Sequence, residues 1–118
     1  MPRLLVHSVT GPEHPTRAAL AFRVARMALD QGHEVDMFLA GDAVTLLRPP
    51  TTDAVHGIGI GSLREFYDAV IAGGGRIYAS VFSSAARGLG PEDLPDVELV
   101  DPSRLVELIM EADRTVTY

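Results

Sequence analysis

The 118-residue chain contains no cysteine. Disulfides, thiolate catalysis, zinc ribbons and iron–sulfur clusters are thereby excluded. Lysine is missing too: all ten basic residues are arginine, so a charged anion site here must use the guanidinium fork. No apolar run approaches the roughly 18 residues that a membrane helix needs. The N-terminus has no basic region followed by a long apolar stretch, so no signal peptide is expected and the expected location is the cytoplasm. A net charge of −6 argues against general binding to nucleic acid or anionic membranes. What is present is an ordinary globular balance of 47% hydrophobic and 22% charged residues, which argues against disorder. The length suits one domain spanning 1–118, able to bury a core without staples.

Apolar, β-branched runs alternate with helical patterns. Leu4 to Val9, Val35 to Leu39, Ile77 to Val81, Val97 to Val100 and Thr115 to Tyr118 read as five strands. Helices fill the gaps, which implies a mostly parallel five-stranded sheet with helices on both faces, an α/β three-layer sandwich. Pro15 suits the first turn of a helix that Gly32 would stop. Ser62 with Glu65 makes a capping-box pattern ahead of Leu63, Phe66, Tyr67, Val70 and Ile71, whose spacing is helical. Gly73, Gly74 and Gly75 end that helix. Asp101 and Pro102 form a cap-plus-proline start for the last one, with an apolar face of Leu105, Leu108, Ile109 and Ala112. Pro49, Pro50, Thr51 and Thr52 read as a loop.

Ligands of open parallel sheets bind beyond the carboxyl ends of the strands. The loops there supply Ser8, Thr10, Glu13, His14, Thr16, Asp42, Ser83, Ser84 and Arg87, with Ser80 at a strand end. Arg17 stands out by angle: at about 100° per residue it lies roughly 120° from Arg23, toward the sheet side of its helix. Two readings of Arg17 stay open, a structural pair with Glu13 or Asp42 and an anion clamp beside a helix start. The run Gly57-Ile58-Gly59-Ile60-Gly61-Ser62 lacks a P-loop lysine and the dinucleotide pattern, so it reads as a structural loop. His7, His14, His33 and His56 form no i,i+4 pair, and no metal site is expected. No G-x-S-x-G is present, and Ser83-Ser84 reads as a helix cap, not a nucleophile.

The strings HSVTGPEHPTRAALAF, FLAGDAV, GIGSLREFYD, SVFSSAARGL and LVELIMEADRTVTY, in this order and spacing, resemble the DsrE/DsrF-like family of small α/β proteins over nearly the whole chain. The resemblance implies a relation to sulfurtransferase and sulfur-relay subunits, whose catalytic cysteine lies just after the third strand, ahead of a short helix ending in arginine-glycine. Counted back from Gly88, that position falls on Ser80. A serine hydroxyl forms no persulfide, so the family's thiol chemistry does not carry over, and no catalytic residue and no cofactor are assigned. The family also implies assembly as a homotrimer or homohexamer, or with related DsrE-like subunits. Leu20 and Met27 on the flank of the first helix, with Val106 and Met110 on the last, agree with an oligomer.

Two functions compete. One is a non-catalytic binding or assembly protein that takes a small polar or anionic ligand with Thr10, Glu13, His14, Arg17, Asp42, Ser80, Ser83, Ser84 and Arg87. The other is an enzyme of different chemistry that uses Glu13, His14, Arg17 and Asp42 in the same crevice.

Overall fold

A computed structural model describes residues 2–118. Seven strands and five α-helices follow one another: β1 (Arg3–Ser8), α1 (Pro15–Asp30), β2 (Glu34–Leu39), a 3-10 segment (Gly41–Leu47), α2 (Pro49–Ala54), β3 (His56–Gly57), β4 (Gly61–Ser62), α3 (Leu63–Ala72), β5 (Arg76–Ser80), α4 (Val81–Ala86), a 3-10 turn (Pro91–Asp93), β6 (Glu98–Val100), α5 (Pro102–Glu111) and β7 (Arg114–Thr117). The main sheet has the order β6-β5-β2-β1-β7 with every neighbour parallel, and β3 and β4 make a small separate hairpin. The five expected strands are present within one or two residues of their expected ends.

A parallel sheet must be covered on both faces. One face carries Val6, Met37, Leu39, Ile77 and Ala79, packed against Ala18, Ala21, Phe22 and Ala25 of α1 and Leu63, Phe66, Tyr67 and Val70 of α3. Small residues at helical spacing let α1 approach closely, and the Phe22 and Tyr67 rings meet at 6.2 Å across the two helices. The other face holds Leu5, Phe38 and Tyr78 under Leu108 of α5. Each such side chain contributes about 1.5–3 kcal/mol when fully buried. His7 shares this face. Its ring meets Phe38 edge-on at 6.0 Å, and burial pushes its pKa below the usual histidine value.

The termini of the helices follow their sequence signals in part. Pro15 opens α1, and Gly32 turns the chain away from it with φ +88°. The Asp101 side chain accepts from the backbone N–H of Ser103 and so caps α5. The capping box at Ser62 does not form: Ser62 precedes α3 but makes no side-chain cap. It is held instead in the hairpin opposite His56, and Glu65 reaches Arg26 of α1 at 3.3 Å. The stretch expected as a loop at Pro49 to Thr52 is the start of α2, because two prolines fit the first turn of a helix, where N–H groups are unpaired anyway. Thr52 is buried there and its hydroxyl donates to Leu46 O. Ile109, expected on the inner face of α5, is 41% exposed.

Candidate functional site

At the carboxyl ends of β1, β2 and β5 three segments are knitted together. After β1, the chain turns through Val9–His14, where Gly11 N–H donates to Glu13 Oε2 at 3.1 Å. A Cβ on Gly11 would lie 2.4 Å from the Asp42 carbonyl oxygen, so only glycine lets this loop press against the 3-10 segment. After β2, Gly41 takes a positive φ of 58° and donates its N–H to Ser83 Oγ at 2.9 Å. After β5, Ser80 accepts from Ser83 N–H at 3.2 Å and is the cap of α4. Arg87, which closes α4, donates from Nη2 to Asp42 Oδ1 at 2.8 Å and from Nη1 to the Ser83 carbonyl at 3.0 Å. Asp42, Ser80, Ser83 and Arg87 therefore form one hydrogen-bonded unit.

The remaining expected site residues stand apart from that unit. His14 Nδ1 accepts from Arg17 N–H at 3.4 Å, which makes His14 the cap of α1. Thr16 Oγ1 accepts from Ile58 N–H at 3.1 Å and ties the hairpin tip to α1. Thr10 is half-buried and forms no side-chain hydrogen bond among the described residues. Arg17 does not face the sheet. The first turn of α1 overhangs the strand ends, so Arg17 is exposed while Ala18 beside it is fully buried. Nor does Arg17 pair with Glu13 or Asp42: the former is engaged with Gly11 and the latter with Arg87. Ser83 and Ser84 are not the cap of α4, a role that Ser80 fills one turn earlier because strand and helix abut without a loop. Ser84 Oγ and Ser8 Oγ are buried without a hydrogen-bond partner among the described residues.

This arrangement has a clear chemical consequence. The Arg87 guanidinium is already neutralised by Asp42, whereas Arg17 is a cation without an ion-pair partner among the described residues. Among the described residues, no hydrogen bond joins the hydroxyl of Ser8, Ser80, Ser83 or Ser84 to a histidine or carboxylate, so none of these four has the partner that activates a nucleophile. No group of three or more His, Asp or Glu side chains fit to hold a metal occurs among the described residues. No helix among them is long and apolar enough to cross a membrane.

Two concavities lie at the other end of the sheet. A cavity of about 570 Å³ is lined at the amino ends of β5 and β6 by Arg76, Tyr78, Asp96, Glu98 and apolar neighbours. A smaller one of about 280 Å³ adjoins it between the ends of α1 and α3, with Arg76 shared by both. None of these residues was expected at a site from the sequence. The available signal was Asp36, a carboxylate inside an apolar strand, whose register partner is Arg76.

The sequence matches the DsrE/DsrF-like family over residues 4–118. Among curated proteins nothing matches the chain. Solved structures of similar fold include the ychN protein from E. coli, 17% identical with a TM-score of 0.83 and all of both chains covered. The protein of unknown function MTH1491 from Methanobacterium thermoautotrophicum is 15% identical with a TM-score of 0.74, again over all of both chains. The conserved protein of unknown function BT1422 from Bacteroides thetaiotaomicron is 14% identical with a TM-score of 0.73, over 98% of this chain and 94% of that one.

Proposed function

The chain belongs to the DsrE/DsrF-like family, and from that premise we propose that it is a non-catalytic, oligomeric member that binds a small polar or anionic ligand at the carboxyl ends of its strands. The observation that carries this reading is Ser80. It occupies the position to which the family resemblance assigns the thiol, it is 5% exposed, and its hydroxyl is spent on capping α4. A chain without any cysteine has no thiolate to receive sulfur. What the crevice retains is recognition. The first turn of α1 carries the partial positive charge of a helix start, although Pro15 has no N–H and the Arg17 N–H is taken by His14, and the Arg17 guanidinium adds a full charge beside it. Thr10, Glu13, His14, Asp42, Ser80, Ser83, Ser84 and Arg87 shape the surrounding wall. Both terminal nitrogens of Arg87 are engaged there, by Asp42 and the Ser83 carbonyl, so selectivity for an anion falls to Arg17.

Assembly as a homotrimer or homohexamer, or with related DsrE-like subunits, belongs to the same reading. Met27, Val106 and Met110 support it, at 47%, 58% and 79% exposed. Calorimetric titration with phosphate, sulfate and small carboxylates tests the crevice. Wild type is expected to bind one of these weakly. Arg17→Ala is expected to lose roughly 1.5–3 kcal/mol of that binding, the worth of one charged hydrogen bond. Equal binding by both proteins, or none by either, would make Arg17 a solvated surface residue.

A further inference from the structure

Asp36 is a carboxylate in the middle of a core strand, 1% exposed. Its side-chain hydrogen bond comes from Arg76 Nε at 2.8 Å, across the register of β2 and β5. Taking a carboxylate out of water is costly, and apolar residues in place of such a pair are commonly no less stabilising. Stability alone therefore gives little reason for the pair. Its geometric effect is to hold one guanidinium in a fixed orientation at the amino end of the sheet. Nη1 and Nη2 of Arg76 have no hydrogen-bond partner among the described residues, and its side chain is 53% exposed.

Arg76 lines the cavity of about 570 Å³, a volume typical of small-molecule sites. The rest of the lining has a definite character. Ile71 and Val97, both half-buried, supply an apolar wall beside the buried Ile77 and Tyr78, while Asp96 and Glu98 supply two exposed carboxylates. Asp96 has φ +60° and is the only non-glycine residue with positive φ among those described. Backbone held in this region by an L-residue concentrates at ligand sites.

We propose that this cleft binds a small molecule carrying one carboxylate and one protonated amine on an apolar body. The carboxylate takes the free face of Arg76 in a charge-assisted fork. The ammonium lies toward Asp96 and Glu98, and the hydrocarbon covers the isoleucine and valine wall. A simple anion meets Asp96 and Glu98, with Glu34 also near Arg76, and a simple amine meets Arg76. Only a molecule with both charges satisfies all three groups. The site lies at the opposite ends of the strands from the Arg17 crevice, so it stands or falls independently of that crevice.

The test is calorimetric titration of the intact protein with L-leucine and with 6-aminohexanoate, which hold their two charges at different separations, beside hexanoate and hexylamine. At least one two-charge probe is expected to bind about ten-fold more tightly than either single-charge probe. Arg76→Gln should weaken that binding by about ten-fold or more, the change expected for one charged hydrogen bond. Because that substitution leaves Asp36 buried without its partner, the Asp36→Asn/Arg76→Gln protein repeats the measurement with charge balance restored. Asp96→Asn, at an exposed position, should weaken binding several-fold without touching the pair. Absence of binding by any probe at about 10 mM, equal binding of hexanoate or hexylamine, or unchanged affinity in all three variants would each overturn the proposal.

Discussion

Replacing Arg76 with glutamine removes the guanidinium that neutralises Asp36 and leaves a carboxylate that is 1% exposed without a counter-charge. Breaking a fully buried pair costs about 3–5 kcal/mol, and breaking an exposed one costs about 0–1 kcal/mol. Arg76 has a side chain 53% exposed, so solvent screens its end of the pair and the expected loss is about 2–3 kcal/mol. In urea this moves the unfolding midpoint down by roughly 1–2 M for a domain of this size, with the slope unchanged. Circular dichroism measures both quantities. The Asp36→Asn/Arg76→Gln protein removes the stranded charge and should recover most of the loss, giving a favourable coupling between the two sites. If Arg76→Gln lies within about 0.5 kcal/mol of wild type, or if the double variant is no more stable than the single one, the pair does not hold the guanidinium as argued.

Two further outcomes follow from the geometry. Tyr67 donates its hydroxyl hydrogen to the Pro95 carbonyl at 2.8 Å, and burial, followed by the charge of Asp96, pushes its pKa up from 10.0 to about 12. The folded protein thus keeps a proton that the unfolded chain releases, so this stability is complete below pH 10 and is lost as the pH rises toward 12. Roughly 2–3 kcal/mol is at stake, and urea titrations from pH 8 to 12 should show that slope diminished in Tyr67→Phe; identical slopes would refute it. Light scattering at micromolar concentration is expected to report a trimer or hexamer, and a mass near the 12.7 kDa of one chain would contradict the assembly.

Much of the fold was legible because strand and helix periodicities differ and the chain keeps them separate. Val35 to Leu39 is apolar at nearly every position, as a strand buried on both faces requires. Pro15, Gly32 and Asp101 mark boundaries through constraints that act within a few residues. Errors arose where a distant partner overrode a local signal. Ser62 has the right neighbours for a capping box, yet pairing with His56 takes it into a hairpin. Pro49 and Pro50 suggest a break, but the same fixed φ suits a helix start. At the candidate site, Asp42, Ser83 and Arg87 meet at the carboxyl ends of the strands, but on the 3-10 segment and along α4 to its end, where loops were expected. Their mutual pairing, which leaves Arg17 alone, depends on how α4 turns after β5. The cleft at the other end was invisible, because Asp36 and Arg76 are forty residues apart and become neighbours only through strand register.

This member of the DsrE/DsrF-like family has no cysteine, and Ser80 serves as a helix cap. Incubation of the purified protein with a labelled sulfane-sulfur donor, followed by removal of free donor and mass measurement, tests the non-catalytic reading most directly. The protein mass is expected to stay unchanged, with no label retained. Protein-bound label that a reductant releases would show that sulfur is carried by some other group and that the non-catalytic reading is wrong.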